Sequence, residues 1–576
     1  MANRSVVSTR RTQLVSTYGV GALLPSMDES FMVCGIDEWT ESYATEVPEP
    51  RLARSLRVDT FRMPPSGGPR KRDVPVVRFP DTYFCPGCRR LARLSDFCSW
   101  DEHRCHECSR DLTPSRFVVC CENGHIDEFP YFLWAHKGED RTGDGNHRLR
   151  LTARGRTSSL ADIEISCSCG IRPVSMAGSF GQHALGGISS CRGRRPWLPG
   201  VDAEACNKLP RTLQRGSSNV WFAMVRSALS IPPWSEGVHR IVARHWVVFS
   251  GIPSDALEAV IGAMNLATVE APLDALVAAI RERRGDAGEP APEDEDLRRD
   301  EYAALVQGRI ERSPHQQFVC TEVSTAKPTN DYLSLVSKVS RLREVRALEG
   351  FTRVLPPMAG MEAGRKAALS AGRPNWLPAI EVLGEGIFVR FDEPRLRTWE
   401  AGTFARERSE LVRRGAEVQA QQFGLGASPT VTPRLLLLHS FAHLLLNELS
   451  LDAGYPAASL RERLFTDDDQ AGVLIYTASA DSAGSLGGLA AQSAVDRMAG
   501  VLVSAVRRAS WCSADPVCIE ATSTGNDALN LAACHACLLL PETSCERMNN
   551  YLDRATVVGR PGEVHLGFFG DLIEAG

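Results

Sequence analysis

The sequence Cys85-Pro86-Gly87-Cys88 is followed, after sixteen intervening residues, by Cys105-His106-Glu107-Cys108. Each C-x-x-C pair can present two thiolates to one side of a tetrahedral Zn²⁺ ion, and two pairs at this separation are typical of a zinc ribbon. The alternative is a redox C-x-x-C, but no βαβ pattern of the thioredoxin type surrounds these pairs. The spacing therefore predicts a closed four-cysteine site, which is structural because it leaves no coordination position for water.

Two further groups of cysteines have looser spacing. One group is a predicted zinc site that consists of Cys167, Cys169, Cys191 and Cys206. Its rival ligands are Cys121 and His125, and the alternative interpretation is small buried thiols in a core. The other group is a predicted C-terminal zinc site, which consists of Cys518, Cys534, Cys537 and Cys545, with Cys512 able to replace Cys518. The sequence thus predicts zinc as the cofactor at three places.

The composition is that of a large globular protein without bulk affinity for polyanions. The 576 residues predict three or four domains, and the net charge is only −5. Residues 141–244 differ, because they carry 15 Lys plus Arg against 6 Asp plus Glu. Only 6 of the 65 basic residues in the whole chain are Lys, a usage that GC-rich coding explains as well as phosphate binding does. The basic segment is therefore open to both interpretations.

The eighteen cysteines indicate metal sites in a reducing compartment more than disulfides. The N-terminus lacks the apolar core of a secretory signal, and the longest apolar run, from Leu435 to Leu446, is too short to span a bilayer. We therefore expect a cytoplasmic protein without membrane contact.

The motifs predict an α+β, multidomain fold with N-terminal zinc-ribbon modules and a mixed α/β C-terminal domain that ends in a cysteine zinc site. The expected segments are an irregular N-terminal segment 1–80, a zinc ribbon 81–116, a basic cysteine-bearing domain 117–250, a mostly helical region 251–397 with an acidic linker near 284–300, and a C-terminal zinc-binding domain 398–576.

Local patterns place several elements. Helices are predicted after Ser254 as N-cap, from Pro272, from Tyr332 to Leu348, from Pro433 with Thr432 as cap, and near Ser493 to Arg508. Strands are predicted from Gly386 to Phe391 and from Val473 to Thr477.

Motifs for catalysis are scarce. The sequence has no G-x-x-x-x-G-K-[ST] phosphate loop and no G-x-S-x-G nucleophile elbow. In His439-Ser440-Phe441-Ala442-His443, Ser440 stands where a zinc-protease helix needs its glutamate base, so hydrogen-bonded core histidines are the favoured interpretation. The turn from Gly484 to Leu489 is the best candidate for a ligand pocket, although glycines also turn a chain tightly.

Several segments together resemble the DrmB family of the DISARM anti-phage systems. They are 10–19 (RRTQLVSTYG), 61–65 (FRMPP), the ribbon knuckles, 122–125 (ENGH), 192–197 (RGRRPW), 214–219 (QRGSSN), 343–346 (REVR) and 350–353 (GFTR). The C-terminal part, with the two histidines, the glycine turn and the last cysteines, is similar to a zinc-binding domain of unknown function at the end of certain superfamily-two helicases.

The resemblance implies a role in a complex. In DISARM systems a DrmB protein accompanies a separate superfamily-two DNA helicase of the DrmA type, which would hydrolyse ATP. We therefore predict a non-catalytic subunit that engages DNA through this complex. The alternative is a hydrolase or nuclease with a site around His439, His443 and the Gly484 to Leu489 turn. Four residues are predicted to contact DNA. Arg192, Arg194 and Arg195 would bind phosphates, and the indole of Trp197 would stack on a base.

Overall fold

A computed structural model gives the architecture. It describes residues 6–26, 29–40, 44–66, 73–99, 102–139, 141, 145–154, 159–269, 271–284, 291–314, 316–358, 360–426, 430–477, 487–524 and 529–574.

Helices and strands alternate irregularly along the described residues. The strands are β1 Leu23–Pro25, β2 Ser30–Val33, β3 Thr60–Arg62, β4 Val76–Arg78, β5 Thr82–Phe84, β6 Arg90–Arg93, β7 Thr113–Pro114, β8 Phe117–Cys120, β9 Ile126–Glu128, β10 Leu149–Ala153, β11 Ile163–Cys167, β12 Val174–Ser175, β13 Arg211–Gln214, β14 Phe222–Leu229, β15 Val319–Val323, β16 Leu333–Thr352, β17 Trp376–Phe391, β18 Leu460–Phe465 and β19 Gly472–Thr477. The helices are α1 Gln13–Ser16, α2 Pro50–Leu56, α3 Tyr131–Ala135, α4 Gly237–Arg244, α5 Trp246–Phe249, α6 Leu257–Ala263, α7 Leu273–Arg284, α8 Asp294–Gln307, α9 Glu393–Glu400, α10 Thr403–Phe423, α11 Pro433–Ala453, α12 Val495–Ala509, α13 Ala555–Val558 and α14 Gly570–Glu574.

The chain divides into two compact units, each assembled from three separate segments. The first unit contains Met1–Val47, Phe61–Arg226 and Ala347–Ile380, and the second contains Pro48–Thr60, Ser227–Arg346 and Glu381–Gly576. Four of the five boundaries between these segments fall within strands, in β3, β14, β16 and β17, and the fifth lies between Val47 and Pro48. The structure thus divides the chain differently from the consecutive segments that the sequence suggests.

The first unit is built on three antiparallel sheets. Their strand orders are β1-β2-β4, β12-β11-β10-β6-β5-β7 and β13-β8-β9. The six-stranded sheet carries the zinc ribbon on β5, β6 and β7, and β10 extends it beside β6. An aromatic core that includes Phe117, Phe129 and Trp134 packs against Ile165 of β11. The segment 1–80, expected to be irregular, contributes the first of these sheets.

The second unit packs α11 against an antiparallel sheet. β19 pairs with β18 on one side and with Gly386–Arg390 of β17 on the other. α11 is buried on nearly all sides, so its leucines form the centre of the largest apolar cluster. α4 to α7 enclose a separate small core that includes Trp246, Phe249 and Ile280. Among the described residues, no helix is both long and apolar enough to cross a membrane.

Several predicted elements are confirmed. α11 begins at Pro433, and the Thr432 hydroxyl accepts a hydrogen bond from the Leu435 amide at 3.1 Å. The predicted strand from Val473 is β19, in which every residue is buried. The remaining confirmed elements are α7 after Pro272, α12, and the strand within β17.

Three local predictions are wrong. The segment from Tyr332 to Leu348 is not a helix: from Leu333 onward it lies in the long strand β16, whose burial on both faces hides the two-residue period. Asp294 to Asp300, expected in a linker, begin α8, because Glu293 and Asp296 form a capping box and acidic residues are stabilised at a helix N-terminus. Ser254 does not cap α6, which begins after Ala256.

Candidate metal centres and an arginine-lined cleft

The ribbon site has the predicted composition. The four sulfur atoms lie within 4.8 Å of one another, with Cys85 Sγ 3.3 Å from Cys108 Sγ and Cys88 Sγ 3.8 Å from Cys105 Sγ. The hydrogen bond from Cys85 lowers the pKa of the Cys108 thiol to about 7. Four thiol groups converging in this way suit a closed, tetrahedral zinc ion.

The second site joins Cys191 and Cys206 to the rival ligands Cys121 and His125. His125 Nδ1 lies 3.4 Å from Cys121 Sγ and 3.6 Å from Cys191 Sγ. Its Nε2 donates a hydrogen bond to Glu204 Oε2 at 3.0 Å, which leaves the lone pair on Nδ1 facing the thiols. A carboxylate behind a histidine in this way is the usual support of a zinc ligand.

The third site takes the remaining cysteines of the predicted quartet. Cys167 and Cys169 converge with His136 and His147, which the sequence analysis did not consider. His136 Nδ1 donates to the Phe132 carbonyl at 2.8 Å, so its Nε2 faces Cys169 Sγ at 3.4 Å. A hydrogen bond from the backbone N–H of Ile171 is the largest cause that lowers the pKa of the Cys169 thiol, to about 6. The single predicted site is therefore divided into two.

The C-terminal site contains both Cys512 and Cys518, which the sequence offered as alternatives for one ligand position. Cys512 and Cys518 lie together with Cys534 and Cys537, and Cys545 is not in this group. The Cys512 and Cys534 sulfurs are 3.5 Å apart, and those of Cys518 and Cys537 are 3.8 Å apart. The Cys512 sulfur also accepts a hydrogen bond from the Ala514 amide at 3.4 Å, as thiolate ligands commonly do.

Cys545 lies instead beside the two histidines of α11. His439, His443, Glu462 and Cys545 bring their donor atoms within 4.8 Å of one another, and all four residues are buried. No substrate can reach histidines that are fully enclosed, which argues against the hydrolase alternative. Of the turn from Gly484 to Leu489, positions 484–486 lie outside the described residues.

The predicted DNA contacts prove to have different environments. Trp197 is only 1% exposed and donates its indole N–H to the Ala368 carbonyl at 3.0 Å, so it cannot stack on a base. Arg195 pairs with Glu204, the support of His125. Arg192 and Arg194 are exposed, and each binds one oxygen of Asp127, at 2.6 and 3.0 Å.

A cleft of about 730 Å³ opens in the first unit where the second and third sites approach it. Its walls include Cys121, His125 and Cys191 of the second site and His147 of the third. Five arginines line it: Arg90, Arg93, Arg148, Arg192 and Arg194. Because metal ligands form its walls, the shape of the cleft depends on the two sites being intact.

The missed ligands had weak sequence signals. His136 and His147 precede Cys167 by 31 and 20 positions and belong to no short motif. Glu462 follows His443 on a strand and is one acidic residue among many. Only His125, four residues after Cys121, had a spacing that could suggest its role as a rival ligand.

Comparison with known proteins agrees with these observations. Residues 10–222 match a family described as a domain of unknown function, DUF8724, and residues 441–538 match the MrfA Zn-binding domain. That second match contains all four cysteines of the C-terminal site but neither His439 nor Cys545. The DISARM protein DrmB of Bacillus paralicheniformis is 30% identical over 583 residues, covering 96% of this chain and 100% of the relative. The chain, with its zinc-binding C-terminal domain, therefore belongs to the DrmB family of DISARM defence proteins.

Proposed function

We propose that this chain is a non-catalytic subunit of DISARM that holds nucleic acid in its arginine-lined cleft. A partner helicase of the DrmA type would move along that nucleic acid. The observation that carries the proposal is the cleft itself, because five arginines line one concavity beside two metal sites.

The charge of the cleft favours a polyanion. Arg93 and Arg148 are exposed, and no ion pair found among the described residues involves either of them. The acidic residues of the lining are Asp96, Asp127 and Glu128. Asp127 binds two of the five arginines, Arg192 and Arg194, and Glu128 accepts two backbone N–H groups, so five arginines face three carboxylates in the lining. Phosphates entering the cleft would therefore meet an excess of positive charge.

The cleft also offers apolar surface beside its arginines. Phe132 and Leu133 are half-buried in its lining, and the Phe132 ring packs on His136 at 4.2 Å between centroids. Nucleic-acid grooves that do not read sequence combine basic and aromatic groups in this way. Contacts to phosphates would position a strand without specifying its sequence.

The metal sites support a structural role in this proposal. The ribbon site, the second site, the third site and the C-terminal site each supply four protein ligands, so a zinc ion bound there has no open position for a reacting water. The second candidate, a hydrolase or nuclease, has no specific observation in its favour, because His439 and His443 are sealed from solvent. Incubation with labelled DNA and Mg²⁺ or Mn²⁺ tests it, and cleavage by the isolated chain would contradict the non-catalytic role.

The helicase partner is inferred from family membership. We expect the chain to co-purify with the superfamily-two helicase of its operon, in the cytoplasm, where thiols remain free for metal. A tagged chain that never retains the helicase would contradict this part of the proposal.

The cleft is tested by changing Arg93→Ala and Arg148→Ala together. Each arginine that neutralises a phosphate of a single strand contributes about 0.7 to the slope of log affinity against log salt concentration. The double variant should therefore lower the magnitude of this slope by roughly 1.4, to a similar extent for all sequences. We would measure it by fluorescence anisotropy with labelled single-stranded DNA, on the chain bound to its helicase.

The matched control is Arg104→Ala with Arg172→Ala. It removes the same charge from exposed positions of the first unit that do not line the cleft. An equal change of slope in both double variants, with zinc content unchanged, would exclude the cleft as the binding site.

A further inference from the structure

We infer that His439, His443, Glu462 and Cys545 form a fifth metal site that holds one structural Zn²⁺ ion inside the second unit. This inference goes beyond the proposed function and does not depend on DNA binding.

The first observation is the direction of the lone pairs. His443 Nδ1 donates to the Leu538 carbonyl at 2.8 Å, so in the neutral imidazole its Nε2 carries a lone pair and no proton. That bare nitrogen points at Glu462 Oε1, 3.5 Å away, and has no hydrogen-bond partner. Two acceptors that face each other in a sealed interior repel unless a proton or a metal cation lies between them.

The second observation is that two more donor atoms converge on the same point. His439 Nε2 lies 3.1 Å from Glu462 Oε1 and 3.2 Å from Cys545 Sγ. The sequence favoured hydrogen-bonded core histidines, but the ring nitrogen of such a histidine needs only one hydrogen-bond partner. Four convergent atoms from two imidazoles, a carboxylate and a thiol form a ligand set that zinc accepts.

The third observation concerns the sulfur. Cys545 Sγ accepts hydrogen bonds from the backbone amides of Arg547 at 3.3 Å and Asn549 at 3.2 Å. The amide two residues after the cysteine also approaches sulfur in the second site, at Gly193, and in the C-terminal site, at Ala514. Amides in this position stabilise a thiolate, which is the form that binds metal.

Burial and charge together favour a divalent ion. His439, His443 and Glu462 are 0% exposed and Cys545 is 4% exposed. The form of the site that binds metal contains a carboxylate and a thiolate, and two negative charges in the interior require a cation between them. With two neutral imidazoles, one Zn²⁺ makes the assembly neutral. The ion would join α11, β18 and the loop that follows the C-terminal site.

The inference is tested by the zinc content of the full-length chain. Glu462→Gln keeps the shape of the side chain but removes its charge, and Cys545→Ala removes the thiolate. Plasma mass spectrometry should show one zinc fewer per chain in each variant than in the wild type. Thermal unfolding should also occur at a lower temperature. An unchanged zinc content in a folded Glu462→Gln variant would overturn the inference.

Cys320→Ala is the matched control. Cys320 is a buried cysteine of β15 that belongs to none of the five groups, so its loss should leave the zinc count unchanged. If neither test variant folds, anomalous diffraction at the zinc edge from wild-type crystals shows whether an ion occupies the site. A peak between His443 Nε2 and Glu462 supports the site, and peaks at the cysteine sites with none here would exclude it.

Discussion

Arg89 and Ser109 occupy the same position in the two knuckles of the zinc ribbon. Each directly follows the second cysteine of its pair and has a left-handed backbone, with φ of 64° and 55°. Their amides donate to the carbonyls of Cys85 and Cys105, at 2.9 and 2.7 Å. The left-handed turn folds each knuckle back on itself, which aims two sulfurs at one point. Metal binding here is therefore decided by single backbone angles as well as by the cysteines.

Gly87 provides a prediction at this scale. A Cβ atom at this position would lie 2.7 Å from Cys108 Sγ, which is a ligand atom and cannot move without distorting the site. Gly87→Ala should therefore destabilise the chain by about 1–3 kcal/mol and weaken zinc retention. The measurement is the unfolding midpoint together with zinc release to a chromogenic chelator.

Arg89→Gly is the control for this variant. Glycine adopts the left-handed conformation without steric cost, so we expect stability to change by less than about 1 kcal/mol. If Gly87→Ala released zinc no faster than Arg89→Gly, the close contact with Cys108 would not matter for the site.

At the scale of elements, β16 and β18 carry charged side chains into the interior of the second unit. Arg463 of β18 binds both oxygens of Glu301 at 2.7 and 2.8 Å, and all of these side chains are fully buried. Glu344 of β16 lies 2.6 Å from Arg346 and 3.6 Å from Arg463. Such charges are tolerated only because each has partners of opposite sign. They also explain why β16 did not look like a strand in the sequence.

Glu344 makes the stability of this sheet depend on pH. Burial alone would raise the pKa of Glu344, but the charges of Arg346, Arg461 and Arg463 outweigh it and hold the pKa well below the usual value of about 4.5. The ionised carboxylate therefore stabilises the fold above about pH 4.5, and this stabilisation is lost as pH falls toward the lowered pKa.

We accordingly predict that Glu344→Gln lowers stability at pH 7 by about 3–5 kcal/mol, the cost of removing one partner from a buried ion pair. The difference from wild type should narrow below pH 4.5. Urea unfolding of both proteins at several pH values measures it, and any zinc loss in acid affects both alike. A difference that stayed constant down to pH 3 would contradict this account.

At the scale of the whole molecule, each unit depends on segments far apart in sequence. In the first unit, Arg353 is fully buried and donates to the carbonyls of Gly21, Gly124 and Val220 at 2.6–2.8 Å. Trp197 likewise reaches the Ala368 carbonyl. The segment Ala347–Ile380 is therefore part of the core of this unit, although 120 residues separate it from Arg226.

This organisation predicts how fragments behave. A fragment of residues 1–226 contains the ligands of the first three sites but lacks Ala347–Ile380, so it leaves buried carbonyls without donors. We expect it to be poorly soluble and to unfold without a cooperative transition. Joining residues 347–380 to it through a flexible linker should restore solubility and zinc content.

The same fusion carrying Arg353→Ala is the control, and it should behave like the shorter fragment. Circular dichroism during heating and zinc analysis distinguish the three proteins. A cooperative transition in the fragment 1–226 alone would show that the distant segment is dispensable.

Local sequence patterns were sufficient to predict the ribbon, the family and the main elements of the C-terminal part. Cys85, Cys88, Cys105 and Cys108 could be grouped because all four ligands fall within 24 residues. α11 and β19 could be placed because a proline after a threonine cap and a continuous apolar run are local signals. In each case neighbouring residues carry the information.

The division of the other ligands among sites depends on contacts between segments that are distant in sequence. Cys167 and Cys191 looked like one site, but β11 carries Cys167 toward His136, while Cys191 lies beside His125. Cys545 lies close in sequence to Cys537 but close in space to His439. A zinc site requires only four donors around one point, and long-range packing chooses which donors meet. Packing likewise buried Trp197 and left Arg93 and Arg148 in the cleft, because exposure depends on contacts with segments far away in the chain.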